Sequence, residues 1–568
     1  MRRAASPLLL LVVMAAGLPP ARAQTRVVTL INADSVVVEG DSTGTVRRLF
    51  GNVAFRQDTT ALYAGSAVQY VERGEIVLDG GVRITNGDDT LTARRVTYDA
   101  NAKEALAVGN VRITDGETVL LVPSGRYFSR TRLATFDVGG RLLHDVSELT
   151  APSGTYDAEA KVATFSGPVT LRDTAVVVTA SSGRYEVRPK VAFLEGPVTL
   201  RDSVAVLTSQ QGVYDVDAER ADFLGEVRLV RRAVRLEADT LTYFRETEVA
   251  DAAGRVVLAR YGDEEEADSD APIDSSRLTL LFADRIHHDD PNRVSTAEGG
   301  EPLAVVLTAD STGMVDTLLV RATSFEARRP EREDDRGALR LHARDSARVV
   351  HPRFAAAGDS AAFTRIGAPE GRGEAPADTL RLFGGPSTWF DEAQVTGDTL
   401  VVAARGEAVE GIEVVGRAFT AQLDTVLGRV NQLRGRRMVG VFAADDLRRL
   451  SVWPTAEAIH FRATADGLLD GADRVSADSL VFTFEGGEVR EVRGYGGIEG
   501  TTYGAQIVPT PLRLDGYTFT PERRPQRAVL LPPESRPAQW LAAQPPLVRA
   551  VPPPGTEAAS IEPAPPPR

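Results

Sequence analysis

From residue 162 the chain reads Val162-Ala-Thr-Phe-Ser-Gly-Pro-Val-Thr-Leu-Arg-Asp173. Ala163, Phe165, Gly167, Val169 and Leu171 alternate with Thr164, Ser166, Thr170 and Arg172. A period of two marks a strand with one apolar and one wetted face. The stretch that follows, Val176-Val-Val-Thr-Ala180 and then Gly183-Arg-Tyr-Glu186, predicts a returning strand. The same order recurs from Val191 to Asp202, from Val204 to Thr208 and in Gly212-Val-Tyr-Asp215.

The recurrence has a fixed step of 29 residues. Tyr98, Tyr127, Tyr156, Tyr185, Tyr214 and Tyr243 follow it, and Gly125, Gly154, Gly183 and Gly212 stand two residues before four of them. Phe55, Ile84, Ile113, Leu142, Leu171, Leu200 and Leu229 form a third series in the same phase. Asn86-Gly87, Asp115-Gly116, Asp173 and Asp202 supply turn residues where the first strand ends, and Ala158-Glu-Ala-Lys161 is a polar stretch where the second ends. Each period therefore predicts two strands and two turns. One such unit cannot bury its apolar face alone, whereas stacked units share an interior. The expected fold is all-β: an elongated β-jelly roll or β-solenoid of two-strand repeats, whose terminal strand edges must be capped or paired.

Along the chain, repeats occupy 24–260, an acidic linker 261–275 contains Gly262-Asp-Glu-Glu-Glu-Ala-Asp-Ser-Asp-Ala-Pro272, and a looser second β region runs over 276–525. A short signal for strand starts recurs as Ala33-Asp-Ser-Val36, Ala238-Asp-Thr-Leu241, Ala377-Asp-Thr-Leu380, Gly397-Asp-Thr-Leu400 and Ala477-Asp-Ser-Leu480. Glu326–Arg336 and Ala368–Ala377 read as surface loops. Residues 526–568 are Pro-rich and read as a disordered tail.

Composition narrows the setting. With 25% charged and 43% hydrophobic residues the chain is of ordinary globular type. A net charge of −14 opposes a phosphate backbone, so nucleic acid is not an expected partner. The absence of cysteine removes disulfides, thiolate metal sites and thiol nucleophiles. Arg2 and Arg3, the apolar run Leu8 to Leu18 and Ala21-Arg-Ala23 have the layout of a secretory signal peptide over 1–23, cleaved after Ala23. The expected location is the periplasm, with outer-membrane association left open.

The Gly-x-Val-x-Leu/Ile strands, the Asp/Asn turns and the Ala-Asp-[Ser/Thr]-Leu signals after an export signal resemble the OstA-like (organic solvent tolerance, LptA-like) family. Gln394-Val-Thr-Gly-Asp-Thr-Leu400, Asn431-Gln-Leu-Arg-Gly-Arg436 and Leu514-Asp-Gly-Tyr517 with Arg524-Pro525 are similar to the longer members. The resemblance implies periplasmic β-jelly rolls that carry lipopolysaccharide, without catalysis or cofactor. Fewer than 60 residues follow residue 510, which departs from the members that continue into a large barrel and implies a bridge component. Its implied partners are lipopolysaccharide or a related lipid, and other β-jelly-roll transport components that pair at strand edges.

Such a function needs an apolar trough. Burying an acyl chain is worth about 0.8 kcal/mol per CH₂, so a chain of ~12 carbons gains up to ~10 kcal/mol. The candidate lipid-binding residues are Phe55, Ile84, Ile113, Phe136, Leu142, Phe165, Leu171, Leu194, Leu200, Phe223 and Leu229. The same side chains can instead close on one another as a dry core, and the sequence leaves both readings open. The tyrosines are expected to pack between units with their hydroxyls at the rim. Arg83, Arg112, Arg141, Arg172, Arg201 and Arg228 fall on the polar phase, as solvated positions or as contacts for lipid phosphates. No catalytic or metal site is assigned: His287-His288-Asp289-Asp290 reads as a polar loop, because adjacent strand residues face opposite ways. The alternatives to lipid transport are a non-enzymatic envelope scaffold or surface β-solenoid, and a β-helix enzyme acting on carbohydrate.

Overall fold

Each period folds as two antiparallel strands. The pair Glu75–Asn86 and Asp89–Asp99 is followed by Glu104–Thr114 and Thr118–Phe128, each strand bonded to the one before and the one after. The computed structural model describes residues 27–543, apart from 42–43, 175, 204, 232–233, 261–277, 310–314, 329–338, 367–376, 406–407 and 444–445. The export signal, the acidic linker, most of both expected loops and the end of the tail lie outside the described residues. The chain is all-β and divides into two compact units, the first ending at Val169 and the second beginning at Thr170.

Strands of the repeat do not run straight. Between Asp79 and Val82, between Val108 and Val111, and at the same phase farther on, the register slips against the neighbouring strand. Gly80, Gly109, Gly196, Gly225 and Gly254 stand at these slips with φ between +74° and +84°, in the left-handed region that glycine enters without a Cβ penalty. The slips are β-bulges, which bend the strand and raise its twist. The bulge also resets the alternation. In Val162–Arg172, Ala163 and Phe165 are buried, Gly167 is exposed, and Val169 and Leu171 are buried again. Gly167, expected on the apolar face, is instead the outward corner of the bend.

The Ala-Asp-[Ser/Thr]-Leu signal stands at a strand start in four of its five occurrences, opening Ser35–Asp41, Ala377–Phe383, Thr399–Arg405 and Ser479–Glu485, and its Asp also marks the bend. Asp239 lies inside Val234–Phe244, and a Cβ on Gly254 would meet its carboxylate at 2.5 Å. Asp34, Asp398 and Asp478 lie as closely over Gly51, Gly416 and Gly496, and their backbone N–H groups donate to carbonyls at those bulges. Arg255 and Arg417 add ion pairs to Asp239 and Asp398. Asp239 alone departs from the expected place, and Asp378, at the start of Ala377–Phe383, pairs with Arg365 at 2.7 Å.

In the second unit the antiparallel meander continues through Thr279–Asp289, Ala408–Asp424 and Arg429–Ala443 to Glu499–Gly504. Leu280, Leu281, Phe282 and Ala283 are four consecutive buried residues of one strand, so both of its faces are covered. Leu280 and Phe282, with Val257, Leu303, Val305 and Leu319, form a face that is covered by Leu530, Leu531, Trp540 and Leu541. Helix α1 (Arg527–Leu530) carries Leu530, with Leu531 just past its end, and helix α2 (Arg536–Ala543) carries Trp540 and Leu541. The expectation of disorder from residue 526 is thus corrected for 526–543: the Pro-rich composition conceals four large apolar side chains that have a surface to bury.

Helix α1 and helix α2 end a strap that begins near Val508 and runs against the succession of strands. Leu512, Leu514, Tyr517 and Phe519 pack on Phe419, Ala421, Ile459 and Phe461. The Gln432 side chain accepts from Leu514 N–H at 2.8 Å and donates to the Leu512 carbonyl at 3.2 Å. Gln394 accepts from Thr520 N–H at 2.6 Å, Arg524 donates to the Asp391 carbonyl, Arg321 to the Leu530 carbonyl, and Trp540 Nε1 to Glu237. Buried Gln394 and Gln432 supply the strap with hydrogen bonds that a sheet edge would otherwise provide, which makes their burial affordable.

Candidate functional site

The interior is built on ladders in strict register. In the first unit Phe55 opposes Leu62, Leu62 opposes Ile84, and the series continues through Leu91, Ile113, Leu120 and Leu142 to Leu149. Directly opposed side chains on one face of an antiparallel pair pack together, so this is one continuous aliphatic row. Leu62, Leu91, Leu120 and Leu149 were missed among the candidates, although they too recur every 29 residues. In the second unit Leu200 opposes Val178 and Leu207, and Leu207 opposes Leu229.

Beyond the bend lies a second row, of aromatic and aliphatic side chains facing glycine. Phe136 and Phe165 both stand opposite Gly154, while Leu194 and Phe223 both stand opposite Gly212. A Cβ on Gly154 would lie 2.9 Å from the Phe136 ring and 2.5 Å from the Thr164 carbonyl. The glycine series therefore makes room for the large side chains of flanking strands. Of the candidates, Phe55, Ile84, Ile113, Phe136, Leu142 and Phe165 in the first unit and Leu171, Leu194, Leu200 and Phe223 in the second are buried, and Leu229 is half-buried.

A polar seam bounds this interior. Gln57 and Asp58 stand at one end of the hairpins, at the close of strand Gly44–Gln57, while Tyr98, near the end of strand Asp89–Asp99, stands with Ala100 and Lys103 at the other. These ends meet: Tyr98 Oη donates to Gln57 Oε1 at 2.7 Å, Gln57 Nε2 donates to the Ala100 carbonyl at 2.9 Å, and Lys103 pairs with Asp58 at 2.5 Å. One period on, Tyr127 Oη donates to Asp89 at 2.7 Å, Asn86 donates to the Ser129 carbonyl at 2.6 Å, and Arg132 grips Asp89 through Nε and Nη2. At the next rung Tyr156 donates to Asp115, which Lys161 also holds at 2.7 Å. In the second unit Tyr214 donates to Asp173 at 2.5 Å. Opposite ends of strands this long can touch only because the bulges fold each strand back, so each sheet closes on itself.

The electrostatics follow from that closure. Burial pushes the Tyr127, Tyr156 and Tyr214 hydroxyls well above their ordinary range; their carboxylate acceptors act in the same direction. Burial pushes Asp115 up, but hydrogen bonds from Lys161, Tyr156 and Thr118 N–H outweigh it and hold its carboxyl below the usual carboxylate value. Arg132 is raised, first by its hydrogen bonds to Asp89. The tyrosines are thus buried ladder elements whose hydroxyls reach the rim, as their phase predicts.

The arginines of the polar phase, Arg83, Arg112, Arg141, Arg172, Arg201 and Arg228, are exposed on the outer side of the sheets. His287 and His288 lie within strand Thr279–Asp289 rather than in a loop, since the alternating strand continues to Asp289. Their rings part as strand neighbours do, His287 to Asp251 at 2.7 Å and His288 to Ser295 at 2.8 Å. Among the described residues no cluster of three metal-ligating side chains is present. Nor is any helix among them long and apolar enough to cross a membrane.

Residues 25–180 match the family described as OstA-like protein. No curated protein matches the chain. The OstA-like region thus spans the ladder from Phe55 to Leu149 and three rungs of the seam.

Proposed function

We propose that the protein is a periplasmic, non-enzymatic carrier that takes the acyl chains of lipopolysaccharide, or of a related envelope lipid, into the interior of its β rolls. The observation that carries this reading is the aliphatic ladder from Phe55 to Leu149 lying inside the part of the chain that matches the OstA-like family. Side chains of the ladder present apolar surface without a break from strand to strand, which suits a ligand whose binding energy comes from methylene burial. Lipid reaches that surface by parting the seam, since the rungs bridge the two hairpin ends. Partners of the same fold add at the terminal strands by edge pairing.

A photo-crosslinking side chain in place of Phe165 or Leu171, in the full-length protein in cells, tests the reading. Capture of lipopolysaccharide supports it; capture of neighbouring protein alone refutes it. The closed seam also favours a second reading, a permanently shut envelope scaffold. In that case depletion of the protein leaves outer-membrane lipopolysaccharide unchanged.

A further inference from the structure

A groove of about 850 Å³ opens on the bend of the first unit, lined by Asn52, Tyr63, Arg83, Thr92, Arg94 and Asn110 over a floor that includes Gly65 and Gly109. Register sets three of these side by side: Tyr63 opposes Arg83, and Arg83 opposes Thr92. The Arg83 guanidinium lies over the Tyr63 ring at 4.8 Å, which holds its planar fork in place. Arg94 lies across Gly109, where even a Cβ would stand 3.1 Å from its own. Neither guanidinium has a carboxylate among the described residues. Nearby acids are already engaged: Arg95 pairs with Asp79, and Asp34 accepts from Asn52 Nδ2 at 3.0 Å.

Here the repeat departs from itself. One and two periods after Tyr63 stand Thr92 and Leu121, and after Arg94 stand Pro123 and Pro152. A stacking tyrosine and a second unpaired arginine thus appear once, in adjacent places, on a scaffold that otherwise repeats. Two uncommitted guanidinium forks facing one space suit a phosphoryl group, which accepts bidentate charge-assisted hydrogen bonds. The amide of Asn110, the amide oxygen of Asn52 (its nitrogen being held by Asp34) and the hydroxyl of Thr92 add donors and acceptors of the kind a sugar ring uses.

We propose that this groove binds a phosphate-bearing sugar, with Arg83 and Arg94 on the phosphoryl oxygens and the asparagines and Thr92 on the ring hydroxyls. The site lies on the bend, away from the interior, and stands whether or not the interior takes acyl chains. The phosphosugar can be a free metabolite or the headgroup of a glycolipid.

Calorimetric titration of the full-length protein with glucose 1-phosphate tests it, with inorganic phosphate and glucose as comparisons. Vesicles of phosphatidylcholine with and without monophosphoryl lipid A test the headgroup source. Binding of glucose 1-phosphate, or retention on lipid A vesicles only, that falls at least tenfold in the double variant R83Q/R94Q and not in R228Q supports the proposal. Both substituted side chains are exposed, and circular dichroism checks that the fold is kept. The proposal is overturned if neither ligand form binds, if inorganic phosphate binds as well as glucose 1-phosphate, or if R228Q weakens binding equally.

Discussion

Tyr156 donates its hydroxyl to Asp115, a residue 41 positions earlier that turns the opposite end of the hairpins. Tyr98 with Gln57 and Tyr214 with Asp173 repeat the relationship at the same separation. Forty-one residues is one period plus one strand with its turn, so the contact requires both the periodic stacking and the fold-back of every strand.

Removing the Asp115 carboxylate leaves the buried Tyr156 hydroxyl and the Thr118 N–H without their acceptor. Asp115→Ala is expected to cost about 2–3 kcal/mol, because Tyr156 Oη and Thr118 N–H lose a buried acceptor while Lys161 keeps Glu117 at 3.0 Å. Tyr156→Phe removes one hydrogen bond and is expected to cost about 1 kcal/mol. Urea denaturation followed by circular dichroism measures both, and a larger loss for Tyr156→Phe would contradict the view that the carboxylate is the centre of the rung.

The seam also sets a pH range. Asp115 has its folded-state value depressed, so its contribution is present above the ordinary carboxylate value and is lost as pH falls through the lower folded value. Tyr127, Tyr156 and Tyr214 have raised values, so theirs is present below about pH 10 and is lost as pH rises beyond it. Stability is therefore expected to fall on both sides of a broad plateau. Thermal melting across pH 3 to 11, wild type against Asp115→Asn, should show the acid limb flattened in the variant.

Gly154 has no room for a side chain. Gly154→Ala is expected to cost about 1–3 kcal/mol through clash with Phe136 and the Thr164 carbonyl. The double variant Gly154→Ala/Phe136→Leu should recover part of that loss in the same denaturation measurement.

The strap should loosen before the rolls do. Leu530 is fully buried against Val257, Leu280 and Leu319, and Leu530→Ala is expected to cost about 2–5 kcal/mol locally. Hydrogen exchange should then accelerate over 527–543 while the strand Ala408–Asp424 stays protected, and Trp540 emission should shift to the red.

Much of this was legible in the period. Phase alone located one strand's half of the ladder, the tyrosines and the turns, because alternation and turn chemistry are local, while Leu62, Leu91, Leu120 and Leu149 on the returning strands escaped it. The bulges were harder to read: Gly167 looks apolar in alternation, and only its φ of +82° reveals a corner. The strap was present as unexplained motifs. Gln394, Asn431-Gln432 and Leu514 to Arg524 stand out in the sequence only by their likeness to longer OstA-like proteins, whereas in the fold Gln394 and Gln432 hold the strap. No periodic pattern links residues 80 to 126 positions apart, so that contact stayed invisible until the chain was folded.

Because every rung joins equivalent places one period and a strand apart, a whole period can be removed or duplicated and each tyrosine still finds a turn residue of the same kind. Two strands at about 4.8 Å each give a step of ~10 Å. The length of such a roll is therefore quantised, and copying a short stretch of gene lengthens it by one step with no new contact to invent.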